Sequence, residues 1–456
     1  MFKTPLLCGA FAAVILAATV PEPPPAGAET LEQALVAAYT SNPTLLAQRK
    51  AVRAADELVP QALSGWRPTV QIEADIGEER TDTDTTGTVD LTPATGTLSV
   101  VQPLYRGGRT VAGTRRAENL VRAERARLDE VEQTVLLDAV TAYMDVVRDQ
   151  AVLGLAENNE EILRRQLEAV RARFEVGDVT GTDVAQAEAR LASATAERIA
   201  AAGALMTSRA AYLEVIGTMP GTLTAPAPPA NVPASDEEAF AMAAAEQPAL
   251  LRAQFAERAA RDDVRVAVGD LLPELSLRGR LSRSEEPSTF LDRRDEASIT
   301  AELTIPLYQA GLAESQVREA RETAAQRRLE VEARRREVME GVARAWQDLI
   351  TAQARIEALN EAVRAARIAL EGVEQEAAVG ARTTLDVLDT EEDLFEAEVD
   401  LARARRDAVV AGYALKAAVG RLTARALDLP VTLYDVKKHY GAVRGEWWGL
   451  DAGMAE

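Results

Sequence analysis

The residues that most often perform chemistry in proteins are scarce in this sequence. Its 456 residues include one histidine, His439, and one cysteine, Cys8. A His/Cys metal site, a Ser-His-Asp triad and a disulfide framework each need more of these residues than the chain has. We therefore expect no enzymatic activity of these kinds, no cofactor and no bound metal, and we interpret His439 as a packing or surface residue.

Carboxylates are the abundant charged groups. The chain has 72 Asp and Glu against 51 Lys and Arg, which gives a formal charge of −21. This balance disfavours phosphate contacts, so nucleic acid is not expected as a partner. Two of the carboxylates, Asp386 and Asp389, would share one face of a helix because they lie three residues apart. Thr383 and Asp386 also have the spacing of a capping box that would open this helix.

Small and aliphatic residues dominate the composition. Hydrophobic residues make up 47% of the chain but aromatic residues only 4%. This composition predicts long helices that pack through small side chains. We find no internal stretch of about 18 apolar residues, so an inner-membrane helical transporter is not expected.

The N-terminus has the features of a secretory signal peptide. Lys3 precedes a short apolar run at 6–20, and Ala26-Gly27-Ala28 forms an A-x-A cleavage site. We therefore predict a signal peptide at 1–28, with the mature chain beginning at Glu29. Since Cys8 lies inside the apolar run, the mature chain would have no cysteine and no disulfide.

The rest of the sequence consists of two copies of one unit. Pro103-Leu104-Tyr105 recurs as Pro306-Leu307-Tyr308, and at the same offset Val176-Gly177 recurs as Val379-Gly380. Matches that share one register indicate a duplication. We divide the chain into a first repeat at 29–219, a Pro/Ala linker at 220–234, a second repeat at 235–422 and a tail at 423–456, which we expect on the equatorial region of the molecule.

Each repeat has the same predicted order: a helix, a β-hairpin, a long helix and a return helix. In the first repeat we expect these at about 31–63, at strands of about 67–78 and 95–103, at about 106–175 and at 182–217. In the second repeat we expect them at about 235–268, at strands of about 273–283 and 297–306, at about 309–378 and at 384–420. A helix of about 65 residues would be roughly 100 Å long.

The residue pattern of the two hairpins fits either a soluble core or a membrane. Aliphatic residues such as Val70, Ile72 and Ile76 alternate with polar ones, and both return strands are expected to end at a proline. A hairpin on a soluble core would show similar alternation. However, Tyr105 and Tyr308 follow the return strands, where membrane-interface aromatics are expected. Four strands cannot close a barrel, since about eight are needed, so a membrane location would require an oligomer.

Together these features resemble the TolC family of bacterial outer-membrane efflux and secretion ducts. The resemblance covers about 31–422. Its most specific passage is 379–389 (VGARTTLDVLD), and 174–187 is the first-half counterpart. It implies a mainly α fold with a small β part, in which a homotrimer forms a 12-stranded outer-membrane β-barrel continuous with a periplasmic α-helical barrel. It also implies outer-membrane lipid, a periplasmic adaptor protein and, through the adaptor, an inner-membrane pump or ABC transporter as partners.

The resemblance assigns roles to the two periplasmic tips. Asp386 and Asp389 would line the pore constriction as a ring of six carboxylates, which would attract cations and raise at least one pKa. Thr182, Asp183 and Arg382 would tie neighbouring coils together in the closed state. The adaptor would contact the tip residues Val176, Gly177, Asp178, Val379, Gly380 and Ala381.

Two features of the tips qualify these roles. Gly177 and Gly380 have a purely structural explanation as well, because a tight turn needs a positive φ. Ala377 stands where the family's best-known member has a tyrosine bonded to the aspartate that matches Asp183. That lock cannot form here, so closure would rest on Arg382 and on packing.

The sequence thus predicts a passive exit duct of a tripartite efflux pump or type I secretion system, located in the outer membrane and extending into the periplasm. The alternative is a periplasmic coiled-coil scaffold or adaptor without a barrel. That alternative does not explain why apolar and polar residues alternate in the two hairpins. An enzyme is the least favoured of the three hypotheses.

Overall fold

The computed structural model of the chain describes residues 29–85, 87–288 and 290–449. The predicted signal peptide at 1–28 and the end of the predicted tail at 450–456 lie outside the described residues. The helices are α1 (Leu31–Ser41), α2 (Pro43–Asp56), α3 (Leu58–Leu63), α4 (Arg109–Glu175), α5 (Gly181–Ile216), α6 (Asp236–Glu246), α7 (Pro248–Gly269), α8 (Leu312–Ala378), α9 (Thr384–Ala418) and α10 (Lys438–Val443). The strands are β1 (Thr69–Ile76), β2 (Glu79–Thr83), β3 (Gly87–Leu91), β4 (Ala94–Arg106), β5 (Glu274–Ser288) and β6 (Leu291–Thr304).

The opening helix of each repeat is broken at a proline, so the prediction of one continuous helix is wrong in both repeats. The side chain of Asn42 accepts the backbone N–H of Thr44 at 3.0 Å and caps α2, which begins at Pro43. Gln247 caps α7 in the same way before Pro248. Proline fits the first helical position because its missing N–H would have no partner there.

The two long helices and the helices that pack on them form the elongated helical part of the chain, called the wall below. α4 and α8 have 67 residues each, or about 100 Å at 1.5 Å per residue. α4 packs against both α5 and α9, which also contact each other near the second tip, and α8 packs against α9. Closer to the sheet, α7 lies between α4 and α8. The strongest contacts therefore run in the series α5, α4, α9, α8, and α5 and α8 are the two ends of this series.

The largest apolar core lies about halfway along α4, where α1, α2, α5, α9 and the tail meet. Tyr143, Tyr212 and Leu422 are fully buried in it. The hydroxyl of Tyr143 is 2.7 Å from the carbonyl oxygen of Thr224 and 2.8 Å from that of Glu29. The hydroxyl of Tyr143 therefore binds the Pro/Ala linker to α4, and the linker is packed against the helices at this point.

The main sheet has one apolar face and one polar face. Its order is β1-β4-β5-β6, with every neighbouring pair antiparallel. Ile72 pairs with Leu98, which pairs with Leu281, while the adjacent row places Ser99 opposite Arg280. Because successive side chains point to opposite faces, the aliphatic residues of all four strands share one surface. In the described part of the chain, β1 and β6 are the edge strands of this sheet.

The end of β4 and the loop before it differ from the prediction. β4 continues past Pro103 to Arg106, with an irregularity in register between Pro103 and Tyr105. The proline sits at this bulge, where its missing N–H is tolerated, so the prediction that the strand ends there is wrong. In the second repeat, β6 ends at Thr304, before Pro306, as predicted, but β5 continues to Ser288 and β6 begins at Leu291, so the predicted loop between 283 and 297 is mostly strand. The loop after β1 also forms a small hairpin of β2 and β3.

One helix departs from the expectation of no apolar span. Among the described residues, α5 alone contains an 18-residue window apolar enough to cross a membrane. Its alanine-rich buried side includes Ala194 and Ala201. On its other side Ile199 and Met206 are 59% and 61% exposed. α5 thus has an apolar face that the single chain leaves uncovered.

Candidate functional site

The two tips are turns that join each long helix to its return helix. Gly177 and Gly380 have φ values of 81° and 77°, in the left-handed region that favours glycine. The preceding residues, Val176 and Val379, are each 80% exposed. The turn therefore accounts for the glycines, while the exposed valines are the surfaces that a partner could contact.

The first tip is held by local polar contacts. Thr180 caps α5, its backbone N–H donating to the Asp183 carboxylate at 2.7 Å, while the N–H of Asp183 donates to the Thr180 hydroxyl at 3.4 Å. The hydrogen bond from the Thr180 N–H holds the pKa of Asp183 below its usual value, with smaller help from the Thr180 hydroxyl and Arg173. Arg173 also bridges to Asp178 at 2.8 Å. Thr182 is exposed.

The second tip repeats this arrangement. The Thr383 N–H donates to the Asp386 carboxylate at 2.9 Å, and the predicted capping box is present. This hydrogen bond is the main reason why the pKa of Asp386 lies below its usual value, and the Thr383 hydroxyl and Arg382 lower it further. Arg382 itself pairs with Glu376 of the same tip at 2.8 Å. Within one chain, the pKa shift of Asp386 is thus opposite to that expected for a ring of carboxylates.

Asp389 faces the first repeat. Nη2 of Arg190, on α5, donates to its carboxylate at 2.6 Å, and Nη1 of the same guanidinium contacts Glu392 one turn further along α9. The sequence reasoning missed Arg190. The sequence did place this arginine on the same side of α5 as Asp183, because the two residues are about two helical turns apart.

An acidic groove of about 870 Å³ extends from this point between α5 and α9, with α4 as its floor. Its charged lining residues are Arg148, Asp149, Arg190, Glu197, Glu392, Glu396, Asp400, Arg403 and Asp407. Burial, together with the negative charges of Glu392 and Glu396, raises the pKa of Glu197. Carboxylates outnumber guanidinium groups, so the groove attracts cations.

Glu391 is a buried carboxyl that the sequence reasoning also missed. It is 8% exposed, and its Oε2 has no hydrogen-bond partner among the described residues. Burial, with a smaller contribution from Glu374 on α8, raises its pKa to about 7. The sequence indicated its burial only through its position three residues after the apolar Leu388, on the same side of the return helix. In the structure Leu388 is buried against α4 and α5.

The structure also locates the remaining residues singled out from the sequence. Tyr105 is exposed near the end of β4, and Tyr308 is exposed in the connection from β6 to α8, so both lie at the base of the sheet. Nδ1 of His439 is 3.2 Å from the buried Asp56, which gives His439 a packing role. In the ranges that the structure describes, no cluster of three His, Cys, Asp or Glu residues is placed to hold a metal ion.

Comparisons with known proteins agree on one family. The family described as "Outer membrane efflux protein" matches residues 34–218 and again 240–421. The Outer membrane efflux protein BepC of Brucella suis is 38% identical over 443 residues, covering 96% of each chain. The Outer membrane protein TolC of Vibrio cholerae is 29% identical and covers 90% of this chain and 95% of its own. The Alkaline protease secretion protein AprF of Pseudomonas aeruginosa is 27% identical, covering 78% of this chain and 76% of its own.

Solved structures show the same fold. The outer-membrane channel OprN superposes with a TM-score of 0.76 at 22% identity, covering 86% of this chain and 89% of its own. The CmeC outer-membrane channel of Campylobacter jejuni gives a TM-score of 0.78 at 15% identity, covering 86% of this chain and 85% of its own. At these identities, the likeness concerns the fold alone.

Proposed function

The chain belongs to the outer membrane efflux protein family, and from this premise we propose that it is the exit duct of a tripartite efflux pump or a type I secretion system. Family membership confirms the resemblance predicted from the sequence, the outer-membrane location and the function of an outer-membrane exit duct. The solved relatives confirm the mainly α fold with a small β part. The choice between efflux and secretion, and the cargo, belong to the proposal.

The amphipathic open sheet is the observation that carries this proposal. An apolar face needs lipid or a core to cover it, and the opposite polar face, with residues such as Arg280, suits a water-filled lumen. Open edges at β1 and β6 would be costly in a bilayer. Three chains with four strands each would join these edges into a 12-stranded barrel.

The edges of the helical wall support the same homotrimer. α5 exposes Ile199 and Met206 at one edge, and α8 exposes Leu329 and Ile368 at the other. Since α5 and α8 are the outermost helices of each chain, closure of the wall brings α5 of one chain against α8 of the next. Apolar burial at three such contacts would stabilise the trimer.

We place the gate at the tips. Asp386 and Asp389 are proposed to line the constriction, with the Asp389 carboxylates partly neutralised by Arg190. Thr182, Asp183 and Arg382 are proposed to tie neighbouring chains in the closed state, in addition to the contacts that Asp183 and Arg382 make within the chain.

The proposed partners follow from the same tips. The exposed turns at 176–178 and 379–381 are proposed to bind a periplasmic adaptor, through which an inner-membrane pump or ABC transporter would supply the energy. AprF is described as a secretion protein and BepC as an efflux protein, so both kinds of partner fit. The duct itself is proposed to have no enzymatic activity, since its family consists of channel proteins.

Membrane fractionation tests this function against a periplasmic scaffold without a barrel. We expect the full-length protein in the outer-membrane fraction, with a gel mobility that changes on heating because the trimer dissociates. Recovery only as a soluble periplasmic monomer would support the scaffold and contradict the duct.

A further inference from the structure

The tail after α9 runs beside α4 toward the sheet. It begins in the main core, where the N–H of Ala424 donates to Glu132 on α4 at 2.7 Å. Further along, Arg444 pairs with Glu118 on the same helix at 3.1 Å. From Glu132 to Glu118 the tail advances about 21 Å at 1.5 Å per residue. The tail therefore extends beyond the equatorial region, toward the base of the sheet.

The tail reaches the base of the sheet at a cluster of tryptophans. Nη1 of Arg67, two residues before β1, donates to the carbonyl oxygen of Glu446 at 2.6 Å. The guanidinium of Arg67 also lies 5.1 Å from the ring centroid of Trp447. Trp66 and Trp448 adjoin these residues in the chain, so three of the four tryptophans of the sequence are at this level.

The two tryptophans of the tail are very exposed for their size. Trp447 is 68% exposed and Trp448 is 94% exposed. An indole combines a large apolar surface with one polar N–H, which makes the boundary between lipid and water its preferred environment. Directly beyond Arg67, the apolar face of the sheet begins at Val70 and continues through Ile72. The exposed indoles thus lie at the level where the apolar face of the sheet begins.

We propose that Trp447 and Trp448 form an interface anchor that inserts into the headgroup region of the periplasmic leaflet of the outer membrane. Arg67 stacks on Trp447 and lies at the height of the lipid phosphates, where a guanidinium binds well. The inference rests on the proposed outer-membrane duct. It adds a lipid contact from a segment that follows both repeats, where the sequence predicted packing around the helices.

A neighbouring chain is the competing occupant of this surface. Lipid is the favoured occupant because both indoles are mostly exposed and Trp447 lies against Arg67, which leads directly into β1, where the apolar face that needs a lipid cover begins. The outermost helices, α5 and α8, carry the exposed apolar residues that suit contact between chains.

Fluorescence quenching by brominated lipid tests the anchor. The full chain carrying Trp66→Phe and Trp346→Phe retains only the two tail indoles, and it would be reconstituted in phospholipid vesicles. We expect lipid brominated near the headgroup end of its acyl chains to reduce the emission of the tail indoles, because interfacial indoles lie at that depth. The matched control carries Trp66→Phe, Trp447→Phe and Trp448→Phe. Its remaining Trp346 packs against a helical core cluster, so lipid should not quench it.

Flotation of the same vesicles separates the possible failures. If the variants float as trimers and only aqueous acrylamide quenches the tail indoles, the rings are in water and the anchor is overturned. If neither quencher acts, a neighbouring chain covers the rings, and the anchor is again overturned. If neither the variants nor the wild-type chain floats, the outer-membrane duct itself is contradicted.

Discussion

Arg190 on α5 lies 2.6 Å from Asp389 on α9, which ties the return helices of the two repeats together beside the second tip. The same guanidinium contacts Glu392, so one cation is shared by two carboxylates. Ala377 removes the tyrosine lock that the family resemblance suggested for this region. The Arg190 bridge provides a link between α5 and α9 that does not depend on that tyrosine.

Arg190→Gln is expected to loosen this link. The pair is partly exposed, so its loss should cost about 0.5–1 kcal/mol per chain. In planar bilayers we expect a larger mean conductance, because α9 is freer to move away from the axis. Arg165→Gln removes a pair within α4 and serves as the control. Equal conductance of the Arg190 variant and the wild type would place the bridge outside the gate.

The carboxylates of the second tip should control ion selectivity. We expect Asp386→Asn together with Asp389→Asn to reduce both cation selectivity and block by divalent cations in single-channel recordings. Arg190→Gln should act in the opposite direction, because it leaves Asp389 without its neutralising partner. Asp178→Asn at the first tip is the matched control. Unchanged selectivity in the double variant would show that these residues do not line the pore.

The buried Glu391 should make the second tip less stable as the pH rises. Its folded pKa of about 7 is above the ordinary glutamate value of 4.5. The contribution of Glu391 to the free energy of unfolding is thus fully present below about pH 4.5 and is lost as the pH rises through about 7. The loss is at most about 3 kcal/mol. Glu391→Gln should remove this dependence in hydrogen exchange of α9 between pH 5 and 8. Glu371→Gln, on the exposed side of α8, should leave the pH dependence intact. If Glu391→Gln had the same pH profile as the wild type, Glu391 would not be the group responsible.

The second tip should separate turn formation from partner binding. Val379→Asp changes a side chain that is 80% exposed, so trimer stability should be unchanged while adaptor binding in a pull-down falls about tenfold or more, equivalent to 1.4 kcal/mol. Gly380→Ala should destabilise the turn itself by about 1–2 kcal/mol because φ is positive there. Ser315→Asp, at the far end of α8, is the control for added charge. Normal adaptor binding by Val379→Asp would exclude that valine from the contact.

Local patterns were sufficient to predict the repeated architecture. The recurrence of Pro-Leu-Tyr predicted a duplicated unit, and the alternation around Ile72 predicted an amphipathic strand. The absence of proline between 108 and 174 predicted a very long helix, which the structure confirms with α4. The strand and the helix could be predicted because each depends on neighbours within a few residues, and the duplication could be predicted because it repeats the same residues in one register.

Features that depend on distant parts of the chain were missed. The partner of Asp389 is Arg190, which lies in the other repeat, and the burial of Glu391 depends on packing between helices. The path of the tail to Arg67 joins the two ends of the sequence. Pro43 and Pro103 were misjudged for a local reason: one begins a helix where continuity was predicted, and the other occupies a bulge where a strand end was predicted.

Electron cryomicroscopy of the full-length protein in lipid nanodiscs is the most direct test of the trimeric duct. We predict three chains around one axis and a closed barrel of 12 strands. Ile72 should face the lipid, and α5 of each chain should pack against α8 of the next. A sheet that remains open, a different number of chains, or a particle without a membrane-embedded barrel would contradict the account.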